Sequence, residues 1–121
     1  MSQYLIKGGV LPELLTSERC YITELCNRDD IPECSLAIAR VEPGVTTELH
    51  SLTGVDELYI VIEGEGEMEV AEERFAVAEG DQVFIPAGAA QRVTAVSQQD
   101  LQFYCLCRPR WQPGCYVSLE E

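Results

Sequence analysis

Residues 43–64 read PGVTTELHSLTGVDELYIVIEG and carry the spacing that decides the fold. Its fixed points are Gly44, His50, Glu57 and Gly64. His50 is the only histidine among the 121 residues. Residues two apart in a strand share a face, so His50 and Leu52 point the same way, and Glu57 comes back on the next strand. The stretch therefore predicts two neighbouring strands that bring one imidazole and one carboxylate together.

A second stretch, residues 80–95, reads GDQVFIPAGAAQRVTA and is likewise divided by glycine and proline residues that form turns. Gly80 and Asp81 supply turn chemistry before a short run of β-branched and aromatic residues, and Pro86 ends that run. Gln91 then opens the next run of alternating residues. This stretch predicts a second pair of strands.

Together the two stretches resemble the two signatures of the cupin family. The first signature is Gly, five residues, His-x-His, three or four residues, Glu, six residues, Gly; the second is Gly, five residues, Pro-x-Gly, two residues, His, three residues, Asn. The matching positions are Gly44, His50, Glu57, Gly64, Gly80, Pro86 and Gly88. The differing positions are Leu52 and Gln91, where the family has histidines, and Ala95, where it has asparagine.

The resemblance covers residues 35–109 and implies an all-β double-stranded β-helix, or jelly-roll barrel. The residue pattern indicates the same class independently, because short strands separated by Gly, Pro and Asp turns are typical of antiparallel sandwiches and barrels. The predicted strands are 19–25, 35–41, 46–51, 57–62, 67–71, 74–77, 81–85, 91–96 and 101–107.

Length and composition favour a single domain over residues 1–121. We expect an arm and the first strands at 1–34, a core holding both motifs at 35–109, and a tail at 110–121. The chain is 46% hydrophobic, but no apolar run approaches the roughly 18 residues of a membrane span. The amino terminus lacks the features of a signal peptide, so we expect a cytoplasmic protein.

The net charge of −13 makes nucleic acid and membrane surfaces poor partners, since both are anionic. Glu63, Glu65, Glu67 and Glu69 alternate with other residues, which predicts one solvated strand face. Small cupins commonly pair, so the resemblance implies a homodimer, and the arm at residues 1–15 offers a strand for exchange.

Six cysteines occur without a Cys-x-x-Cys pair. Their irregular spacing, with no export signal, favours reduced thiols over a disulfide framework. Cys105 and Cys107 share one face of a predicted strand, and packing in the core is the favoured role over a soft-metal site.

In most metal-binding cupins three imidazoles and one carboxylate hold a divalent ion inside the barrel. The resemblance therefore implies a reduced donor set of His50, Glu57 and Gln91 for one iron, manganese, nickel, copper or zinc ion. Leu52 has no lone pair to offer. For Gln91, a role as hydrogen-bond partner of a ligand or of Glu57 is favoured equally with a role as metal ligand.

Glu57 and Tyr59 are the candidate catalytic residues. A buried Glu57 needs a partner, for which a metal, His50 or Arg92 would serve. Tyr59 shares the inward parity of Glu57, either as a proton donor and ligand-binding group or as a packed ring at the barrel mouth. Arg92 should point outside the cavity.

Three functions stay open. The first is a small cupin that binds a divalent metal, a small ligand or both inside the barrel. The second is a metal-dependent oxygenase, sugar or keto-acid isomerase, or lyase. The third is a metal-free structural or regulatory barrel filled with side chains, which a cavity lined by the candidate residues would count against.

Overall fold

The computed structural model describes residues 2–120 and builds them from β-strands, with a single 3-10 turn at Pro113–Cys115 and no α-helix in that range. The strands in chain order are β1 (Leu14–Leu15), β2 (Tyr21–Cys26), β3 (Ser35–Val41), β4 (His50–Leu52), β5 (Asp56–Glu63), β6 (Glu65–Val70), β7 (Glu73–Ala78), β8 (Gln82–Ile85), β9 (Gln91–Ala95), β10 (Leu101–Arg108) and β11 (Tyr116–Ser118).

The strands form two antiparallel sheets that face each other. The six-stranded sheet has the order β1-β2-β3-β10-β5-β8, and the five-stranded sheet has the order β11-β4-β9-β6-β7. Neighbours that are distant in the chain, such as β3 and β10, are the mark of a jelly roll. The all-β jelly-roll prediction is confirmed.

The core lies between the two sheets and follows the period-two alternation of the strands. Met68, Ile85, Leu101 and Val41 are fully buried. Each such side chain contributes roughly 1.5–3 kcal/mol through removal of apolar surface from water. The same parity directs Glu57 and Tyr59 of β5 into the barrel, where both are buried.

Most predicted strands agree with the structure within two residues, but residues 46–49 do not form the predicted strand. The backbone N–H of Thr47 donates to Val93, whereas that of Glu48 donates to the Glu18 carbonyl. Because this segment changes partners, β4 begins only at His50. The strand β11 was not predicted either; it lies in the expected tail and pairs with β4.

The acidic alternation is split between two strands, which corrects the prediction of a single strand face. Glu63 ends β5, and the other three glutamates lie on β6. Glu63, Glu65 and Glu67 are exposed, as predicted, while Glu69 is half-buried. Arg92 and Arg74 pair with Glu69, at 2.6 and 3.3 Å.

The arm exposes several large apolar side chains, among them Tyr4, Leu5 and Val10. Its strand β1 pairs with β2 over two residues at the edge of the six-stranded sheet. Pairing of two copies through the arm stays a prediction, and Met1 lies outside the described residues. Residues 2–120 contain no helix that is long and apolar enough to cross a membrane.

Candidate functional site

His50 is buried at the start of β4, and both of its ring nitrogens face protein groups. Nδ1 lies 2.7 Å from the Glu48 carbonyl oxygen. Since a carbonyl oxygen only accepts, Nδ1 carries a hydrogen. Nε2 lies 3.5 Å from Glu18 Oε1. The imidazole is thus held by the backbone on one side and faces a carboxyl group on the other.

The carboxyl-terminal strand fixes the His50 ring. The Tyr116 ring stacks on the imidazole, with 4.9 Å between centroids. The Tyr116 hydroxyl donates to Glu48. Glu120 beyond β11 accepts from the Leu49 N–H at 2.8 Å and pairs with Arg19 at 2.7 Å. β11 is therefore the element that covers the histidine.

Glu57, Gln91 and Tyr59 form one buried chain of hydrogen bonds between the sheets. The Tyr59 hydroxyl donates to Gln91 Oε1 at 2.6 Å. Gln91 Nε2 donates to Glu57 Oε1 at 3.0 Å, and the Cys107 thiol points to Glu57 Oε2 at 3.7 Å. These partners set the direction of the Gln91 amide. Gln91 and Cys107 both donate to Glu57, which is the final acceptor of this series of hydrogen bonds.

Burial raises the pKa of Glu57 from 4.5 to about 7. The hydrogen bond from Gln91 favours the charged form, but the loss of water around the carboxylate outweighs it, and the neighbouring Glu18 acts in the same direction as burial. A carboxyl group with this pKa exchanges a proton near neutral pH. Glu57 is thus chemically suited to proton transfer, and its catalytic role stays a prediction.

Glu18 is a site residue that the sequence analysis missed. It lies in the turn before β2, faces His50 Nε2, and has its pKa raised by burial. The available signal was alternation, because Thr16, Glu18, Cys20 and Ile22 share one parity and all line the same cavity. The alternation was not recognised because Ser17 and Arg19, which separate these residues, lie in the turn and bend before β2.

All six cysteines are free thiols, as predicted. Burial raises the pKa of the Cys20 thiol to about 12, and it also raises the pKa values of Cys105 and Cys107. Since the thiolate is the nucleophile, burial makes these thiols poor nucleophiles near neutral pH. Cys105 packs in the main core, which fits the packing role predicted for it.

A cavity of about 400 Å³ lies on the inner face of the six-stranded sheet. The cavity exists because β3 carries small side chains there, namely Ser35, Ala37 and Ala39. The same sheet continues the wall with Phe103, Cys105 and Cys107 of β10 and Glu57 and Tyr59 of β5. The segment before β2 adds Leu14 and Glu18, and Trp111 is also part of the wall.

The structure brings some of the predicted site residues together and separates others. Glu57 and Tyr59 line the cavity, and Gln91 lies behind them in the hydrogen-bonded chain. His50 is across the β4–β9 pair from Gln91 and is not part of the lining. Leu52 packs with Val55 in a separate small cluster. Arg92 points outward, as predicted, and so is not the partner of Glu57.

The donor set does not fit the family's metal centre. Within residues 2–120, no three His, Cys, Asp or Glu side chains are grouped for one ion. Gln91 uses its amide oxygen on Tyr59 and its NH₂ on Glu57. The hydrogen on His50 Nδ1 leaves only Nε2, which faces Glu18. The predicted metal ligands stay a prediction.

The metal content of His50→Ala gives a direct check. Because His50 and Gln91 are already engaged, we expect wild type and His50→Ala to carry equal, substoichiometric iron, manganese, nickel, copper and zinc. Elemental analysis of both proteins, purified without an affinity tag or chelator, measures this. A stoichiometric ion in wild type that disappears in His50→Ala would contradict the expectation and restore the reduced ligand set.

The sequence profile of the cupin domain matches residues 37–107, more than half of the chain. The chain belongs to the cupin family. An uncharacterized protein of Methanocaldococcus jannaschii is 33% identical to this cupin over 75 residues, which is 62% of the chain and 60% of that protein. The alignment thus spans less than two thirds of the relative's length.

Solved structures show the same fold at low sequence identity. PAC13 from Streptomyces, solved with uridine, has a TM-score of 0.81 at 13% identity and covers 99% of this cupin and 93% of its own chain. KdgF from Halomonas has a TM-score of 0.73 at 17% identity, covering 83% and 89%.

Oxalate decarboxylase of Bacillus subtilis, described with Mn(II) centres, has a TM-score of 0.76 at 22% identity. It covers 89% of this cupin but only 30% of its own chain. At these identities the likeness shows the fold, and function must come from the site.

Proposed function

We propose that this cupin is a binding protein for a small, largely apolar organic molecule held inside the barrel. The observation that carries the proposal is the cavity of about 400 Å³ beside a buried carboxyl group. Ligand pockets of roughly 300–1,000 Å³ typically combine apolar walls with a few polar groups that orient the ligand. A core filled with side chains would leave no such space, so the structural barrel is not the function we propose.

The walls define how the molecule is held. Phe103 and Tyr59 present rings whose centroids are 4.3 Å apart, and Trp111 adds a third ring. Glu57 is a buried carboxyl group of the lining. An apolar or aromatic body packs against the rings while a polar end meets Glu57. PAC13, solved with uridine, shows that a cupin of similar length accommodates a small organic molecule.

The metal-dependent oxygenase, isomerase or lyase predicted as an alternative is not proposed, since Gln91 is hydrogen-bonded to Tyr59 and Glu57 and residues 2–120 group no three His, Cys, Asp or Glu side chains for one ion. Binding through the cavity needs no ion. Glu57 is nonetheless placed to exchange a proton with whatever molecule the cavity holds.

Filling the cavity tests the proposal. Ala37→Leu adds bulk where β3 leaves space, so it should weaken binding of the neutral probe 2-phenylethanol by at least about tenfold. Trp111 is the only tryptophan and lies in the cavity wall, so its fluorescence reports occupancy. Calorimetry provides a second readout.

The matched control is Ala76→Leu, since Ala76 is exposed on β7 of the other sheet. It should bind the probe like wild type. Equal binding of 2-phenylethanol by Ala37→Leu and wild type would contradict the proposed function.

A further inference from the structure

The cavity walls carry negative but not positive side chains. Glu18, Glu24 and Glu57 contribute carboxyl groups, and within residues 2–120 no lysine, arginine or histidine belongs to the lining. Glu57 is buried in the wall, whereas Glu24 is exposed and so lies at the mouth. A ligand that enters the cavity therefore passes one carboxyl group and ends beside another.

Six of the seven arginines form ion pairs with carboxylates that lie outside the cavity lining. Arg40 holds Glu13 and Asp100, at 2.8 and 3.1 Å. The other pairs are Arg19 with Glu120, Arg28 with Asp30, Arg74 and Arg92 with Glu69, and Arg108 with Asp56. Arg110 donates to Asn27 Oδ1 at 2.8 Å. Asn27 belongs to the cavity lining but none of the seven guanidinium groups does, so the wall itself offers no counter-charge for an anion.

The aromatic walls favour the same ligand charge as the carboxyl groups. Ring faces attract a cation held close to them, and most strongly when water is excluded. Phe103, Tyr59 and Trp111 supply such faces around the space that Ala37 leaves. The net charge of −13 adds a long-range field that concentrates cations near the mouth.

We infer that the ligand is a small organic amine, bound in its ammonium form with an aromatic or aliphatic body against the rings. The inference deepens the proposed function and rests on it. The ammonium group donates hydrogen bonds to Glu57, while organic acids and phosphate esters are rejected because they meet carboxylates and no cation. Selectivity for charge, rather than for shape, is the property that the walls encode.

Three probes of nearly equal size separate charge from shape: 2-phenylethylamine, 2-phenylethanol and 3-phenylpropanoate. With Trp111 fluorescence and calorimetry on the full chain, we expect the amine to bind at least about tenfold more tightly than the alcohol. The carboxylate should bind more weakly than both. If the alcohol or the carboxylate binds as tightly as the amine, the inference is overturned while the cavity remains a binding site. Binding of none of the three would overturn the proposed function as well.

Variants assign the selectivity to the cavity. Glu57→Gln keeps the size of the side chain and removes its charge, so the preference for amine over alcohol should fall to within about threefold. Glu18→Gln is a second variant and should reduce the preference less, because the Glu18 carboxyl group is partly exposed and also faces His50. Glu72→Gln, on the exposed turn between β6 and β7, should keep the wild-type preference. An unchanged preference in Glu57→Gln would overturn the inference.

Discussion

Replacing Gly64 with alanine is expected to lower the free energy of unfolding by about 4 kcal/mol. Gly64 joins β5 to β6 with φ of +84°, and a Cβ there would lie 2.4 Å from the Asp100 carbonyl oxygen and 3.0 Å from Leu101 Cα. Both are backbone atoms, so no side chain can move aside. Leu101 is fully buried at the start of β10, so the clash would push a central strand away from the core.

Gly54→Ala separates the two causes of this loss. Gly54 has φ of +73° but nothing within 4 Å of its added Cβ. Gly54→Ala should therefore lower the free energy of unfolding by about 1 kcal/mol, the cost of the left-handed backbone alone. Urea unfolding of both variants measures the difference. Equal losses would show that the close approach of Asp100 does not explain why glycine is needed at position 64.

Replacing Glu57 with glutamine is expected to raise the free energy of unfolding by about 3 kcal/mol at about pH 8 and to change it little at about pH 4. The pKa of Glu57 rises from 4.5 to about 7 on folding, so the folded protein holds this proton more strongly than the unfolded chain. Glu57 therefore costs stability progressively as the pH rises through that window. Glutamine keeps the acceptor for Gln91 and removes the buried charge.

Urea unfolding at several pH values measures the effect, with Glu72→Gln as the exposed control. The gain in Glu57→Gln should grow between about pH 4.5 and about pH 7 and then level off. Glu72→Gln should follow wild type at every pH. A gain that is independent of pH, or a loss of stability at about pH 8, would mean that Glu57 is not a buried carboxyl group with a raised pKa.

The sequence was a good guide to the fold because the signals that set it are local. Gly64 and Gly80 mark turns, and alternation along β3, β5 and β10 shows which side chains face the core. β11 was missed because Tyr116–Ser118 is short and is stabilised by long-range pairing with β4 rather than by its own pattern. Residues 46–49 were assigned to a strand because propensity does not reveal a change of hydrogen-bonding partner.

The candidate site was predicted less well because it depends on contacts between distant segments. Parity placed Glu57 and Tyr59 in the barrel, but only the structure shows Gln91 joining them. Glu18 reaches His50 from the arm side of β2, a proximity that sequence spacing does not encode. The space above Ala37 is a property of several strands at once, so the cavity became visible only in three dimensions.

Ligand binding in the barrel is tested most directly by a crystal structure of the protein soaked with 2-phenylethylamine. We expect electron density for the ligand inside the barrel, with its ring between Phe103 and Trp111 and its nitrogen within about 3.2 Å of a Glu57 carboxyl oxygen. A cavity that holds only water after soaking, or ligand density at the surface instead, would contradict the central claim that this cupin binds a small organic amine in its barrel.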